Sequence, residues 1–219
     1  MSRSSLLRRG AAFALVAAVA VSRVAAAQQI ATSPPRLSPA QQAAADSGRP
    51  PYTDADVHFM SGMIGHHAQA VVMAGWAPSH GAGASLRALC ERIVVGQSDE
   101  IVLMSRWLSD RHLPVPAPDP RGMAMPGMEG HVMLMPGMLT PEQMTQLDQA
   151  RGPEFDRLFL TFMIQHHQGA LTMVDQLLAA NGAAQDNLVY KFATDVSADQ
   201  TTEIERMNRM LAAIPSGGR

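Results

Sequence analysis

The sequence predicts an all-α protein, a four-helix bundle built from two helical-hairpin repeats. Apolar residues make up 47% of the 219 residues and aromatic residues only 5%, so Ala, Leu, Val and Met must fill the core. Ala and Met favour helices. The second observation is an internal repeat, because FMSGMIGHHAQAVVM at residues 59–73 returns as FLTFMIQHHQGALTM at residues 159–173.

The first 27 residues predict a signal peptide. Three arginines in MSRSSLLRRG precede the short apolar run AAFALVAAVAV, and the three alanines before Gln28 fit an A-x-A cleavage site. The run is short for a membrane span, and no cysteine follows it to carry a lipid anchor. We therefore expect an exported, periplasmic protein with no membrane attachment after cleavage. An uncleaved anchor is the alternative.

Residues 28–51 are rich in Gln, Ala, Ser and Pro and predict a flexible tether. The helical bundle then covers residues 52–213, and repeat one takes up residues 52–113. Capping residues and Pro/Gly clusters set the ends of its helices. Its first helix is predicted from Thr53 or Asp54 to about Ala77, and its second from about Ala84 to His112.

A Met-rich loop without helical period occupies residues 114–139, and repeat two spans residues 140–213. The segment TPEQ at residues 140–143 is typical of a helix start, with a Thr cap, Pro at the first position and Gln where a capping box needs it. Repeat two should contain a short helix ending near Gly152, a long helix from Pro153 to Asn181-Gly182, and a last helix ending near Ala213.

The helix that follows each His-His helix is also repeated, with an offset of 103 residues. Each half of the chain is therefore a hairpin, and two hairpins can bury their apolar faces against each other. The matched residues are Gln97, Glu100, Ile101, Met104 and Leu108 in the first half, and Gln200, Glu203, Ile204, Met207 and Leu211 in the second.

The paired histidines lie on the core-facing stripe of their helices. At 100° per residue, the histidines and nearby methionines of each copy fall on one arc of roughly 140°. Imidazole nitrogen and thioether sulfur are both metal ligands. The candidate metal ligands of the bundle are His66, His67, Met63 and Met73 in repeat one, and His166, His167, Met163 and Met173 in repeat two.

Four buried histidines are costly unless each is paired. In one account they bind a metal, and the carboxylates of Glu100 and Glu203 orient the imidazoles. In the other, they hydrogen-bond to those glutamates and to Gln97 and Gln200, and only hold the hairpins together. The duplication favours the metal account. Adjacent histidines point about 100° apart, so we expect one of each pair to bind metal and the other to be structural.

The Met-rich loop is a separate signal. A Pro- and Gly-rich loop presents no regular face for core packing, and soft thioethers select Cu(I) while imidazole serves either copper oxidation state. A copper role is favoured over a hydrophobic docking surface. The possible second metal region consists of Met123, Met125, Met128, His131, Met133, Met135 and Met138.

The sequence lacks the residues that several classes of protein function require. The net charge of −2 does not indicate nucleic acid as a partner. A di-iron oxidase needs Glu-x-x-His on two helices, but Met63, Ile64, Met163 and Ile164 occupy the corresponding positions. The zinc-hydrolase motif H-E-x-x-H is absent, and no nucleophile neighbours a base, so no enzyme is predicted.

The single Cys90 is expected to be an inert buried thiol, with metal binding as the alternative.

Three segments resemble the DUF305 family: FMSGMIGHHAQAVVM at residues 59–73, MPGMLT at 135–140 and EFDRLFLTFMIQHHQGA at 154–170. The resemblance covers about residues 52–212. It implies a ferritin-like helical bundle, and periplasmic copper binding and resistance as in some members. Leu160 and Thr161 stand where the first copy has Met60 and Ser61. If Met60 is a ligand, the two sites are unequal.

We therefore expect an exported protein that binds copper, mainly as Cu(I), for sequestration or handover in copper homeostasis. Ag(I) has similar softness and is a possible surrogate. A periplasmic metal-handling protein is the expected partner. The alternative is an interaction module without metal, in which the His pairs are structural and the Met-rich loop docks a partner.

Overall fold

The computed structural model describes residues 47, 48, 50–124 and 132–214. The predicted signal peptide and nearly all of the tether lie outside the described residues and stay predictions. The described chain forms five helices and one pair of two-residue antiparallel strands. The elements are α1 (Asp54–Gly75), α2 (Ala84–Asp110), β1 (Met123–Ala124), β2 (Val132–Met133), α3 (Pro141–Gln149), α4 (Pro153–Ala179) and α5 (Asn187–Ala213).

Capping boxes confirm two of the predicted helix starts, those of α1 and α3. The Thr53 hydroxyl accepts from the backbone N–H of Asp56, whose carboxylate accepts in return from the N–H of Thr53. Thr140 and Gln143 form the same capping box at α3, with Pro141 at the first position. Each box satisfies backbone donors that a helix start leaves unpaired.

Helices α1 and α2 each end two residues earlier than the sequence predicts. The N–H of Ala77 bonds to the carbonyl of Ala74, and that of His112 to Ser109. These bonds span three residues instead of four, so the chain tightens out of the α-helix before the predicted ends. Boundaries of this kind depend on local hydrogen bonding that a hydrophobic pattern does not report.

The two predicted hairpins form a four-helix bundle. Helix α1 packs against α2, α4 packs against α5, and the hairpins meet where α1 packs against α4. The core divides into two clusters related by the repeat. Met63, Met104 and Met173 lie in one cluster, and their equivalents Met163, Met207 and Met73 lie in the other. Equivalent residues exchange clusters, so the repeats are related by a pseudo-twofold axis.

Two equivalent aspartates brace the hairpins against each other. Asp56 at the start of α1 accepts from the N–H of Ala184 in the second hairpin, at 2.7 Å. Asp156 at the start of α4 accepts from the N–H of Gly83 in the first hairpin, at 3.1 and 3.2 Å. Each repeat thus holds the other's turn. Asp56 is fully buried, so its loss would leave backbone donors unpaired.

The segment between the repeats covers the α1–α4 face, and it contradicts one expectation. Met135 and Met138 are buried and belong to the first core cluster. The prediction that this loop has no face to bury is therefore wrong for its C-terminal part. Gln69 of α1 anchors the segment, because its amide donates to the carbonyls of Pro120 and Leu139 and accepts from the N–H of Leu139.

The close approach of this segment explains a glycine. An ideal Cβ built on Gly169 of α4 would lie 1.9 Å from the carbonyl oxygen of Pro136 and 2.5 Å from Cα of Gly137. Only glycine lets the loop backbone lie directly on the helix. Among the described residues, no helix has the length and apolarity needed to cross a membrane.

Candidate metal centre

The two His pairs meet at the centre of the bundle. Helices α1 and α4 carry them at equivalent positions, and all four side chains are fully buried. Ring centroids of adjacent histidines lie 6.2 Å apart in both pairs, and the rings of His66 and His166 lie 3.8 Å apart. The sequence predicted the burial and the pairing of the helices. It did not predict this close contact between the two rings, whose planes are tilted by 36°.

The outer histidine of each pair points at a glutamate of the neighbouring helix. Nε2 of His67 lies 2.6 Å from Oε2 of Glu100, and Nε2 of His167 lies 2.7 Å from Oε2 of Glu203. The glutamates are about three-quarters buried. The predicted contact between each carboxylate and an imidazole is present in both halves, and an ionised carboxylate makes Nε2 the donor.

The inner histidines have backbone partners, and their contacts break the symmetry. Nε2 of His66 lies 3.1 Å from the carbonyl oxygen of Pro136. Nε2 of His166 lies 3.1 Å from the carbonyl oxygen of His66. A carbonyl oxygen only accepts, so Nε2 carries the proton in both rings. Sequence reasoning missed Pro136, because a backbone acceptor on a loop leaves no side-chain signal.

Each imidazole uses Nε2 and leaves Nδ1 unpaired. Among the described residues, no hydrogen-bond partner reaches Nδ1 of His66, His67, His166 or His167, and all four atoms are buried. Since Nε2 bears the proton in a neutral ring, Nδ1 has a free lone pair. Four buried lone pairs without a donor are costly in an apolar core. A metal ion satisfies such atoms, because neutral imidazole is a metal ligand.

The inner rings are held neutral. Burial, reinforced by the nearby His67, lowers the pKa of His66 to about 3. Burial, followed by the adjacent His66, lowers the pKa of His166 well below its usual range. Both effects disfavour a positive charge in the core. The inner imidazoles are therefore in the protonation state that metal binding needs across the neutral pH range.

The methionine candidates are divided between the two core clusters. Met63 and Met173 belong to one core cluster and Met163 and Met73 to the other, and all four are buried. The methionines of the Met-rich loop and those of the bundle were predicted to form separate metal regions. In the structure, Met135 of the loop and Met173 of the bundle both lie close to Gly62. A Cβ there would lie 3.3 Å from Sδ of Met135 and 3.5 Å from Cε of Met173.

The remaining loop candidates divide into two groups. Met123 is half-buried and Met133 is exposed, with the two residues paired across β1 and β2. Met125, Met128 and His131 lie outside the described residues. The described loop methionines thus differ in environment: Met135 and Met138 are buried in the core, whereas Met133 is exposed to solvent.

In the part of the chain that the structure describes, His, Cys, Asp and Glu side chains alone do not form a metal site. Within the described ranges, no three side chains of His, Cys, Asp and Glu are placed to hold one metal ion. At most two of these side chains could therefore bind one metal ion at the His centre. The buried methionines of the two core clusters offer thioether sulfur as a further ligand, and thioether sulfur selects soft ions.

Two other residue predictions have clear outcomes. Gln97 and Gln200 do not bond to the histidines as the structural account predicted, because the glutamates and two carbonyls take every Nε2. Cys90 is buried, and burial, aided by Asp156, raises its thiol pKa to about 12. A protonated thiol is neither nucleophile nor ligand, which agrees with the inert role.

The chain matches a family model and several solved structures. The family model DUF305, a domain of unknown function, matches residues 56–211. A search of curated proteins finds no match. A solved DUF305 structure from Streptomyces coelicolor, described as a candidate secreted protein, is 27% identical with a TM-score of 0.61, covering 75% of this chain and 98% of that one. A DUF305 fragment from Deinococcus radiodurans is 28% identical with the same TM-score, covering 74% and 99%.

Further similar structures belong to a protein named CopM. Its Cu(II)-bound form is 26% identical with a TM-score of 0.55, covering 72% of this chain and 95% of CopM. Its Cu(I)-bound form is 27% identical with a TM-score of 0.53, covering 73% and 96%. An Ag-bound form matches similarly, with 27% identity and a TM-score of 0.52.

Proposed function

Because the chain belongs to the DUF305 family, some of whose structural relatives bind copper, we propose that it is an exported copper-binding protein. It holds Cu(I) for sequestration or for handover to another protein outside the cytoplasm. CopM has been solved with Cu(I), Cu(II) and Ag, and the resemblance spans nearly three-quarters of this chain. Copper or silver is the metal class that these relatives support.

The observation that carries the proposal is the set of four unpaired, buried Nδ1 atoms. A purely structural histidine would use both nitrogens, since an unpaired buried acceptor costs about 1–3 kcal/mol. Here each of the four rings is held in position by a hydrogen bond through Nε2, and its Nδ1 makes no hydrogen bond to any described residue. Such an arrangement matches metal-binding histidines, whose second nitrogen is fixed by a carboxylate or a carbonyl.

The ligand set we propose combines imidazole nitrogen with thioether sulfur. The Nδ1 atoms of His66, His67, His166 and His167 are the candidate nitrogen ligands, with at most two of them on one ion, while the glutamates and carbonyls orient the rings. Sulfur comes from the methionines in the flanking core clusters. The candidate sulfur ligands are Met63, Met73, Met163 and Met173, and Met135 of the loop shares a core cluster with Met63 and Met173.

The first experiment is an anaerobic Cu(I) titration of the mature protein against a competing chelator. A variant with all four paired histidines changed to Ala tests the centre, and circular dichroism checks that it folds. A control variant, His58→Ala with His112→Ala, removes two exposed histidines and leaves the centre intact. We expect tight binding by the wild type and the control, and its loss in the folded four-histidine variant.

Other outcomes separate the alternatives. Tight Cu(I) binding that survives in the folded four-histidine variant would move the site to the Met-rich loop and make the histidines structural. Absence of tight binding in every protein would reject the copper function. That result would support the interaction module, in which Nε2 contacts with Glu100, Glu203 and the backbone serve packing alone.

A further inference from the structure

A small pocket of about 70 Å³ lies between α1, α4 and the Met-rich loop. The buried side chains of Met135 and Met173 line it, and so do the exposed side chains of His58 and Gln176. The pocket therefore leads from solvent to two thioether groups. Pockets for organic ligands usually have volumes of about 300 Å³ or more, so this space suits a metal ion or about two water molecules.

Gly62 of α1 leaves room for the two thioethers. A Cβ built there would lie 2.6 Å from Cε and 3.3 Å from Sδ of Met135, and 3.5 Å from Cε of Met173. The ends of both side chains therefore lie against one point of α1. The equivalent residue of the second repeat is Phe162, which is buried. The second repeat thus has an aromatic ring where the first repeat leaves space.

The residues that carry the thioethers are connected to the inner histidines. Met173 and His166 are seven residues apart on α4, which places them on one face of the helix at 100° per residue. Their separation along the helix is about 10 Å at 1.5 Å per residue. Met135 is followed by Pro136, whose carbonyl oxygen lies 3.1 Å from Nε2 of His66. Each thioether is therefore linked to one inner histidine, through α4 or through the loop.

A cleft between α2 and α5 leads to the outer histidines instead. It is lined by Glu100 and Glu203, which contact Nε2 of the outer imidazoles, and by two arginines. An ion that entered there would meet charged oxygen and nitrogen groups, and the protonated side of each outer ring. Cu(I) and Ag(I) prefer sulfur ligands, so the pocket with the two thioethers suits them and the cleft does not.

We propose that this thioether pocket, lined by Met135 and Met173, is the transfer site through which Cu(I) or Ag(I) enters and leaves the His centre. The inference rests on the proposed copper function and names the route to its site. The ion passes from the two sulfur atoms to the inner histidines without a change in oxidation state. A blocked route slows uptake and release by the same factor, so the dissociation constant, which is the ratio of the two rates, stays the same.

Gln176→Trp tests the route, because an indole at this exposed position should cover the pocket while both thioethers remain. Cu(I) is presented to the mature protein as its bicinchoninate complex, and stopped-flow absorbance follows the transfer in each direction. The matched control is Gln168→Trp, at an exposed position of the same helix that does not line the pocket. We expect uptake and release to be about tenfold slower in Gln176→Trp, with an unchanged dissociation constant, and wild-type rates in the control.

Two further variants separate the thioether pocket from the cleft. Met135→Leu keeps a side chain of similar size but removes one sulfur, so uptake and release should also slow. Gly96 lines the α2–α5 cleft, and a Cβ there would meet nothing within 4 Å. Gly96→Trp should therefore obstruct the cleft and leave both rates as they are in the wild type. Circular dichroism checks that each variant folds.

Wild-type rates in Gln176→Trp would overturn the proposal, and so would slowing by Gly96→Trp in its place, which would put the entrance in the cleft. Wild-type rates in Met135→Leu would reject the role of the thioether. A weaker dissociation constant in Gln176→Trp would mean that the substitution acts on the centre and not on the route. In all these cases tight binding by the wild type leaves the copper function standing, whereas absence of tight binding by the wild type rejects both proposals.

Discussion

The rings of His66 and His166 lie with their centroids 3.8 Å apart and their planes tilted by 36°, and Nε2 of His166 donates to the carbonyl oxygen of His66. Two residues separated by 100 positions thus meet near the pseudo-twofold axis of the bundle. The contact is one-sided, because Nε2 of His66 donates to Pro136 instead. Neither ring can gain a proton without placing a charge against the other ring in a dry core.

The metal-free protein should lose stability as pH falls below about 6.5. Burial lowers the pKa of His66 to about 3 and lowers that of His166, so the unfolded chain binds protons that the folded chain refuses. The contribution is complete above the unfolded pKa near 6.5 and decreases below it, approaching about 1.4 kcal/mol per pH unit for each histidine. Urea unfolding between pH 7.5 and 5.5 measures it.

The control for the acid effect is the pair of exposed histidines His58 and His112. Changing both to Gln should leave the pH dependence as it is in the wild type, because neither side chain belongs to the buried pair. A wild-type stability that is constant from pH 7.5 to 5.5 would contradict the neutral, buried inner pair.

Replacing Glu100 and Glu203 with Gln should weaken Cu(I) binding by about tenfold or more, because the amide orients and polarises the imidazole less than the carboxylate does. The fold should persist, since the side chains keep their size. Competition titration gives the dissociation constant. Glu205→Gln, at an exposed position paired with Arg209, is the control, and equal affinities in all three proteins would contradict the orienting role.

Some loop methionines should bind copper, whereas others should act in core packing. Replacing Met123, Met125, Met128 and Met133 with Leu should lower the number of Cu(I) ions bound without changing the unfolding temperature. Replacing Met135 and Met138 should also destabilise the fold, because both are buried in the core cluster. Copper-to-protein ratios and thermal melts check this division, and an unchanged ratio in the first variant would reject the loop as a copper region.

Gly169→Ala should destabilise the protein by about 3 kcal/mol or more, because the new Cβ meets the backbone of Pro136 and Gly137, which cannot rotate away. It should also displace the carbonyl that holds His66. Gly96→Ala on α2 is the matched control. Its Cβ would meet nothing within 4 Å, so helix propensity should raise stability by about 1 kcal/mol. Chemical denaturation of both variants tests the difference in sign.

The sequence by itself determined the helices, the repeat and the residues of the His centre. Local signals sufficed: Thr53 and Thr140 set helix starts through capping boxes, and the 3.6-residue period placed both His pairs in the core. The matched Glu100 and Glu203 gave the outer contacts. These features depend on residues within one helix, or on neighbouring helices of one hairpin.

The tertiary structure alone decided how the two repeats meet. Periodicity shows which face of a helix is buried, but not the register at which α1 crosses α4, so the ring contact between His66 and His166 was not predictable. A segment without hydrophobic periodicity also does not show which part of the fold it packs against. For that reason the burial of Met135 and the role of Pro136 were not predicted. The contact between the rings and the position of the loop both depend on residues that are far apart in sequence. Such contacts follow from the packing of the whole bundle.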